Sequence, residues 1–299
     1  GISLCYQFDP SNTKYKAAVE KGIQFFMDRC VDGLEEGSQV VRYPDNAAQE
    51  SSTGTNALFG LSMIDYLRTL QSSKDNTDAA FVAKVKSKLR GIILHLQSMQ
   101  LSTKHFSQKY NFQIKQKAKT SSPYFDGETM LCLVKAAKYI DGYEHLIPLI
   151  EEVSMITAKA YSIDVWVDNP DSDQTKGFYQ WSSMFLSEYV DARWKNAQIF
   201  GDFVIALGHW VIYTHWILER RKNTGYAFEG IISAYVIAKS RGHTTALANL
   251  EAVIGEGLYK LTSWQVGSPL AYENAFLRHH PTSEAIALGG VMGAEDEAP

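Results

Sequence analysis

Apolar residues recur at helical spacing along almost the whole chain. Tyr15, Val19, Ile23 and Phe26 stand three or four apart, as expected of a helix that buries one stripe. Leu58, Leu61, Ile64 and Leu67 repeat the pattern, and Phe81, Val85, Leu89, Ile92, Leu96 and Met99 extend it. Met130, Leu131, Val134, Ala137 and Ile140 form a fourth stripe. The same periodicity predicts helices over about 146–161, 177–191, 199–220, 224–240 and 244–265. Sustained apolar/polar alternation is nearly absent, so no sheet of any size is expected. SQVVRY, Ser38–Tyr43, reads as a short strand or an extended loop.

The predicted helices are of two kinds, and the kinds alternate. One kind begins at a glycine set among polar residues: Gly54, Gly127, Gly177 and Gly225. Aromatic or small residues follow each glycine. The other kind is more charged and has no such entrance. The result is a weak internal repeat of helical hairpins. Alternation of this sort can build two concentric rings, with the inner helices presenting their N-terminal ends on one face. Those ends carry free N–H groups and partial positive charge, and they attract acids and polar ligands.

This alternation, and above all YFDGETMLCLVKAAKYI and NTGYAFEGIISAYVIAK, resembles the six-hairpin (α/α) toroids of carbohydrate-active enzymes. The resemblance covers about residues 14–293. It implies an all-α toroid or barrel of helical hairpins over 1–299 as a single domain. About four and a half hairpins can be counted, and ALGGVMGAEDEAP resembles one more inner-helix entrance. The toroid is therefore expected to be incomplete at its C-terminal end, or the polypeptide to continue into further segments or domains.

Composition narrows the chemistry. A net charge of −4 gives no electrostatic reason to expect nucleic acid. The apolar run Phe203–Leu218 carries His209 and His215 and is too short to span a bilayer, so it is expected to be a helix buried on several sides and no membrane is expected as a partner. Cys5, Cys30 and Cys132 show no metal-type spacing, which favours a reducing, cytoplasmic compartment over a disulfide framework. The stock of 16 Tyr, 14 Phe and 6 Trp suits a core but also a cleft in which sugar rings stack. No GxGxxG, P-loop or GxSxG occurs, so hydride transfer, NTP hydrolysis and serine-esterase chemistry have no support.

Two acids, Asp126 and Glu128, stand at the mouth of one inner helix. The plain reading is an N-cap aspartate followed by a first-turn acid. The functional reading makes one of them a catalytic carboxylate, because glycosidases act through an acid and a partner carboxylate. Glu229, one turn into another glycine-led helix, has apolar neighbours Phe228, Ile231 and Ile232. Partial burial would raise its pKa and suit it to general-acid work; an exposed glutamate is the alternative. Tyr124, Tyr179, Gln180, Trp181 and Tyr226 are candidate sugar contacts, or core. Arg42 and Tyr43, with Glu50, occupy a similar rim position, or form an ordinary polar loop. Arg278 with His279 and His280 could neutralise a uronate and take its C5 proton, which would make a lyase or epimerase; a polar loop before Pro281 is the alternative. Asp168, Asp171 and Asp173 lack the glycine and distal glutamate of a calcium loop. An opportunistic Ca²⁺ or an exposed acidic turn is expected there, with no dedicated cofactor. His209 and His215 are six apart and share no helix face, so no zinc site is expected.

Two functional classes follow. In the first, the chain cleaves or modifies a glycosidic linkage in an oligo- or polysaccharide, with a uronate lyase or epimerase as a variant. In the second, it is a non-catalytic helical-repeat binding domain whose acids are only caps. A terpene-cyclase-like fold stands lower, for want of an adjacent aspartate motif.

Overall fold

The computed structural model describes residues 2–72, 78–222, 225–280 and 284–294. The chain divides into two compact units, Gly1–Asp168 and Asn169–Pro299.

In chain order the first unit contains α1 (Ile2–Phe8), α2 (Thr13–Met27), strands β1 (Cys30–Asp32), β2 (Gln39–Val41) and β3 (Glu50–Ser52), then α3 (Thr53–Ser72) and α4 (Ala79–Ser98). Strands β4 (Lys109–Asn111) and β5 (Gln116–Lys117) follow, then α5 (Pro123–Tyr139), α6 (Ile147–Ala158) and a short α7 (Asp164–Trp166). A π-helical turn, Lys159–Ile163, separates the last two.

The two kinds of helix expected from sequence differ here in burial. Every residue of α5 from Asp126 to Ala137 is buried, and α3 buries residues on all sides, including Met63, Ile64 and Tyr66. A helix that is greasy all round must be enclosed on all sides. The more charged helices bury one stripe each: Val19, Ile23 and Met27 on α2, and Val85, Leu89, Ile92, Ile93 and Leu96 on α4, with Gly91 and His95 beside them. Helix α3 packs against α5 and α4, and α5 against α6.

The strands are two or three residues long, too short to leave a period of two in the sequence. Ser38–Tyr43 contains β2, which pairs antiparallel with β1. Strands β3, β4 and β5 form a second antiparallel sheet. This sheet ties the segment before α5 to the start of α3: Ser52 pairs with Lys109, and the Thr53 amide donates to the Gln108 carbonyl at 3.0 Å. Two helix mouths are thereby fixed side by side.

The second unit contains α8 (Asp173–Asp191), α9 (Ala197–Tyr213), α10 (Gly225–Ser240), α11 (Thr244–Ser263) and a short α12 (Ala275–His279). Helix α10 packs against α8, α9 and α11. The apolar run expected to be helical from Phe203 to Leu218 leaves the helix after Tyr213, and Trp216 takes a left-handed conformation (φ 53°) that ends any helical continuation. Among the described residues no helix is long and apolar enough to cross a membrane. Of the stretch that resembles a further helix entrance, the described residues 287–294 are not helical. Met292 is buried with Trp264, Val266 and Leu277, and the Val266 amide donates to the Gly290 carbonyl at 2.8 Å. The polar lead-in Asn223–Thr224 to α10 and Pro281 lie outside the described residues.

Candidate active site at the mouths of α3 and α5

Helix α5 starts with Ser122 at the N-cap and Pro123 in the first turn. Proline fits there because its missing N–H would have no intrahelical partner. Asp126 is therefore not the N-cap that its sequence position suggested. It is fully buried, and its work is outside its own helix. One carboxylate oxygen accepts from the Phe106 amide at 2.6 Å. The other accepts from the Tyr161 hydroxyl at 2.6 Å and meets His105 Nδ1 at 2.6 Å. Tyr161 and His105 Nδ1 are themselves 3.0 Å apart. Three donors on a buried carboxylate are the condition under which such a charge is tolerated.

His105 lies on the loop between α4 and β4, after Lys104, whose backbone is left-handed (φ 70°). A non-glycine residue in that region costs roughly 1–2 kcal/mol, and the bonds to Asp126 over-determine the loop that bears it. Tyr161 lies on the π-helical turn, a geometry that often marks functional positions. Burial first, then the Asp126 charge and the hydrogen bond to it, push the Tyr161 pKa far above that of a free phenol. Tyr161 is therefore a donor at neutral pH. With Asp126 accepting at Nδ1, the His105 ring carries its proton there and leaves the Nε2 lone pair free. The His105 side chain retains 15% exposure, against 0% for Asp126.

Glu128 lies one half-turn further along α5. It is 9% exposed, and its Oε2 is buried with no hydrogen-bond partner among the described residues. Desolvation pushes its pKa up from 4.5 to about 7. The carboxyl lies against Gly54 in the first turn of α3: a Cβ built at Gly54 would overlap Oε2 and stand 2.7 Å from the Phe125 ring. Glycine is thus the residue that lets the α3 mouth receive an acid from α5. Tyr124, the next residue outward, is 48% exposed. An acid whose pKa is raised to about 7 and an imidazole held in one tautomer are each capable of acid–base chemistry.

The other predicted residues fall elsewhere. Glu229 was expected to be partly buried but is exposed, because it leaves α10 on the side away from Phe228 and Ile231. It accepts from Gln180 Nε2. Tyr179, read as a sugar contact, is a core residue: it is 1% exposed, donates to the Ala227 carbonyl at 2.9 Å, and fills the space that a side chain at Gly230 would need. Trp181 is half-buried and Tyr226 is exposed at 39%. Arg42 donates to the Ala48 carbonyl at 2.8 Å and lies over the Phe112 ring. Glu50 pairs with Lys109 at 3.0 Å. Arg278, His279 and His280 are exposed around the end of α12, with the His280 ring 4.5 Å from that of Phe276. Asp168 and Asp173 are exposed, while Asp171 pairs with His215 at 2.6 Å and Arg220 at 3.3 Å. Among the described residues no three His, Cys, Asp or Glu side chains gather as a metal site.

Sequence reading missed His105 and Tyr161. His105 sits alone in a polar loop, and Tyr161 sits in what looks like ordinary helix. Neither shows a pattern until Asp126 joins them.

No family model matches the chain, and no curated protein matches it. Among solved structures the chain is similar to a selenomethionine derivative of a GH76 α-mannanase from Bacteroides thetaiotaomicron. The TM-score is 0.61 at 10% identity, and the match covers 100% of this chain and 76% of that one. At this identity the likeness carries the fold and no catalytic detail. The fold is an all-α (α/α) toroid of helical hairpins, as the alternating helices implied.

Proposed function

We propose that the chain is a carbohydrate-active enzyme that hydrolyses a glycosidic linkage at the mouths of α3 and α5. The observation that carries the reading is Glu128: a buried carboxyl with an unpartnered oxygen and a pKa near 7, set among helix N-termini. These are the properties of a general acid at neutral pH, and they are the properties that the sequence led one to seek in Glu229.

Glu128 gives its proton to the glycosidic oxygen as the C–O bond breaks. His105 Nε2 takes a proton from the water that attacks the anomeric carbon. Asp126 and Tyr161 are positioning residues that hold the His105 ring, and Tyr124 offers an exposed ring for a sugar face. The fold neighbour is an α-mannanase, so α-mannan is the first substrate to try. The lyase alternative requires a tyrosinate or histidine base. The high Tyr161 pKa speaks against Tyr161 as that base. The test is release of reducing ends from α-mannan and a panel of other poly- and oligosaccharides by the wild type and by Glu128→Gln.

A further inference from the structure

The opposite ends of the same helices hold a second feature. Leu67 and Leu70 in the last turns of α3, Val82 and Leu89 on α4, and Ile140 just past α5 wall a cavity of about 540 Å³. That volume lies within the usual range for small-molecule sites. Leu67 and Leu70 are 13 and 16 residues along α3 from Gly54, about 20–24 Å at the rise of a helix, and so the cavity is separate from the candidate active site.

The rim is what gives the cavity chemical character. Lys86 and Arg90 both line it. They are four residues apart, and so stand one above the other on the face of α4 that carries Val82 and Leu89. Both are exposed, and neither has a hydrogen-bond or ion-pair partner among the described residues. Tyr143 also lines the cavity. Burial raises its pKa, with Arg90 opposing, so its hydroxyl stays protonated as a donor. Among the described residues Asp141 is the one acid on the lining, which leaves those residues with an excess of one positive charge.

We propose that this cavity is a binding site for a small amphipathic anion: an apolar chain or ring system seated between α3 and α4, with a carboxylate or phosphate held by Lys86, Arg90 and Tyr143. The proposal stands apart from the glycosidase reading, since the two sites use opposite ends of α3.

Calorimetric titration of the full chain with decanoate, decyl phosphate and decanol tests it. Saturable one-to-one binding of either anion is expected, at least ten-fold tighter than that of decanol, and the anion that binds identifies the headgroup. Lys86→Ala/Arg90→Ala should weaken anion binding ten-fold or more and leave decanol unchanged, with no loss of thermal stability. Val82→Trp should fill the cavity and abolish binding of all three; Leu70→Trp replaces it if the first variant does not fold. Unsaturable binding, or equal anion affinity in the wild type and the double variant, would overturn the proposal.

Discussion

The carboxyl of Glu128 occupies the space that a side chain at Gly54 would take. An acid on one helix is thus accommodated by the absence of a Cβ on another. Gly54→Ala is expected to expel the carboxyl from the α3 mouth, with a cost of about 1–3 kcal/mol for forcing atoms into a packed site. In the Glu128→Ala background the same change should cost at least about 1 kcal/mol less, because the two residues are in contact. Equilibrium denaturation of the four proteins measures this coupling. Additive costs would mean that the two groups do not compete for the same space.

The raised pKa of Glu128 gives stability a distinct pH dependence. The folded state holds this proton up to about pH 7, whereas an unfolded glutamate releases it near 4.5. The folded state therefore binds more protons across that window, and stability falls as pH rises through it. Glu128→Gln removes the effect and should stabilise the protein by roughly 2–3 kcal/mol at pH 8 relative to its effect at pH 4. Urea denaturation at the two pH values measures it; an equal effect at both would place the carboxyl in water.

His95 acts in the opposite sense. It is fully buried, neither ring nitrogen has a hydrogen-bond partner among the described residues, and burial lowers its pKa from 6.5 to about 4. Between those values the unfolded chain binds the extra proton, so stability falls as pH falls from about 6.5 towards 4. His95→Phe keeps an aromatic against Tyr110, whose ring lies 5.7 Å away edge-on. The variant should lose this acid-side slope. Thermal unfolding at pH 7 and pH 4.5 reads the difference between the two proteins.

Asp65 on α3 and Lys135 on α5 form an ion pair whose side chains are each 10% exposed. It bridges the two helices that carry the candidate site. Lys135→Met alone leaves a buried carboxylate without a counter-charge and should cost about 3–5 kcal/mol. Asp65→Leu added to it removes the orphan charge and should recover most of that loss. Chemical denaturation distinguishes recovery from a second additive loss.

The fold was legible in the sequence because its signal is repeated. The stripes at Val85, Leu89 and Ile92 and at Met130 and Val134 recur in every hairpin, and Gly54 and Gly225 mark the starts of two helices. The candidate site was legible in part. Asp126 and Glu128 stand out as acids in a greasy helix, but which is satisfied and which is orphaned depends on the loop at Phe106 and on the mouth of α3. The exposure of Glu229 was not legible, because Phe228 and Ile231 are its neighbours in sequence but occupy the other side of α10. Tyr179 looked like a sugar platform for the reason that aromatics always do; its place under Gly230 makes it core. The π-helical turn that brings Tyr161 to Asp126 leaves no trace in the spacing of apolar residues.

The most direct measurement is reducing-end release from α-mannan and a panel of other glycans, followed against pH. The account predicts turnover by the wild type that declines as pH rises through about 7, and a loss of at least about 100-fold in Glu128→Gln. Turnover that Glu128→Gln leaves unchanged, or no turnover on any glycan, would contradict it.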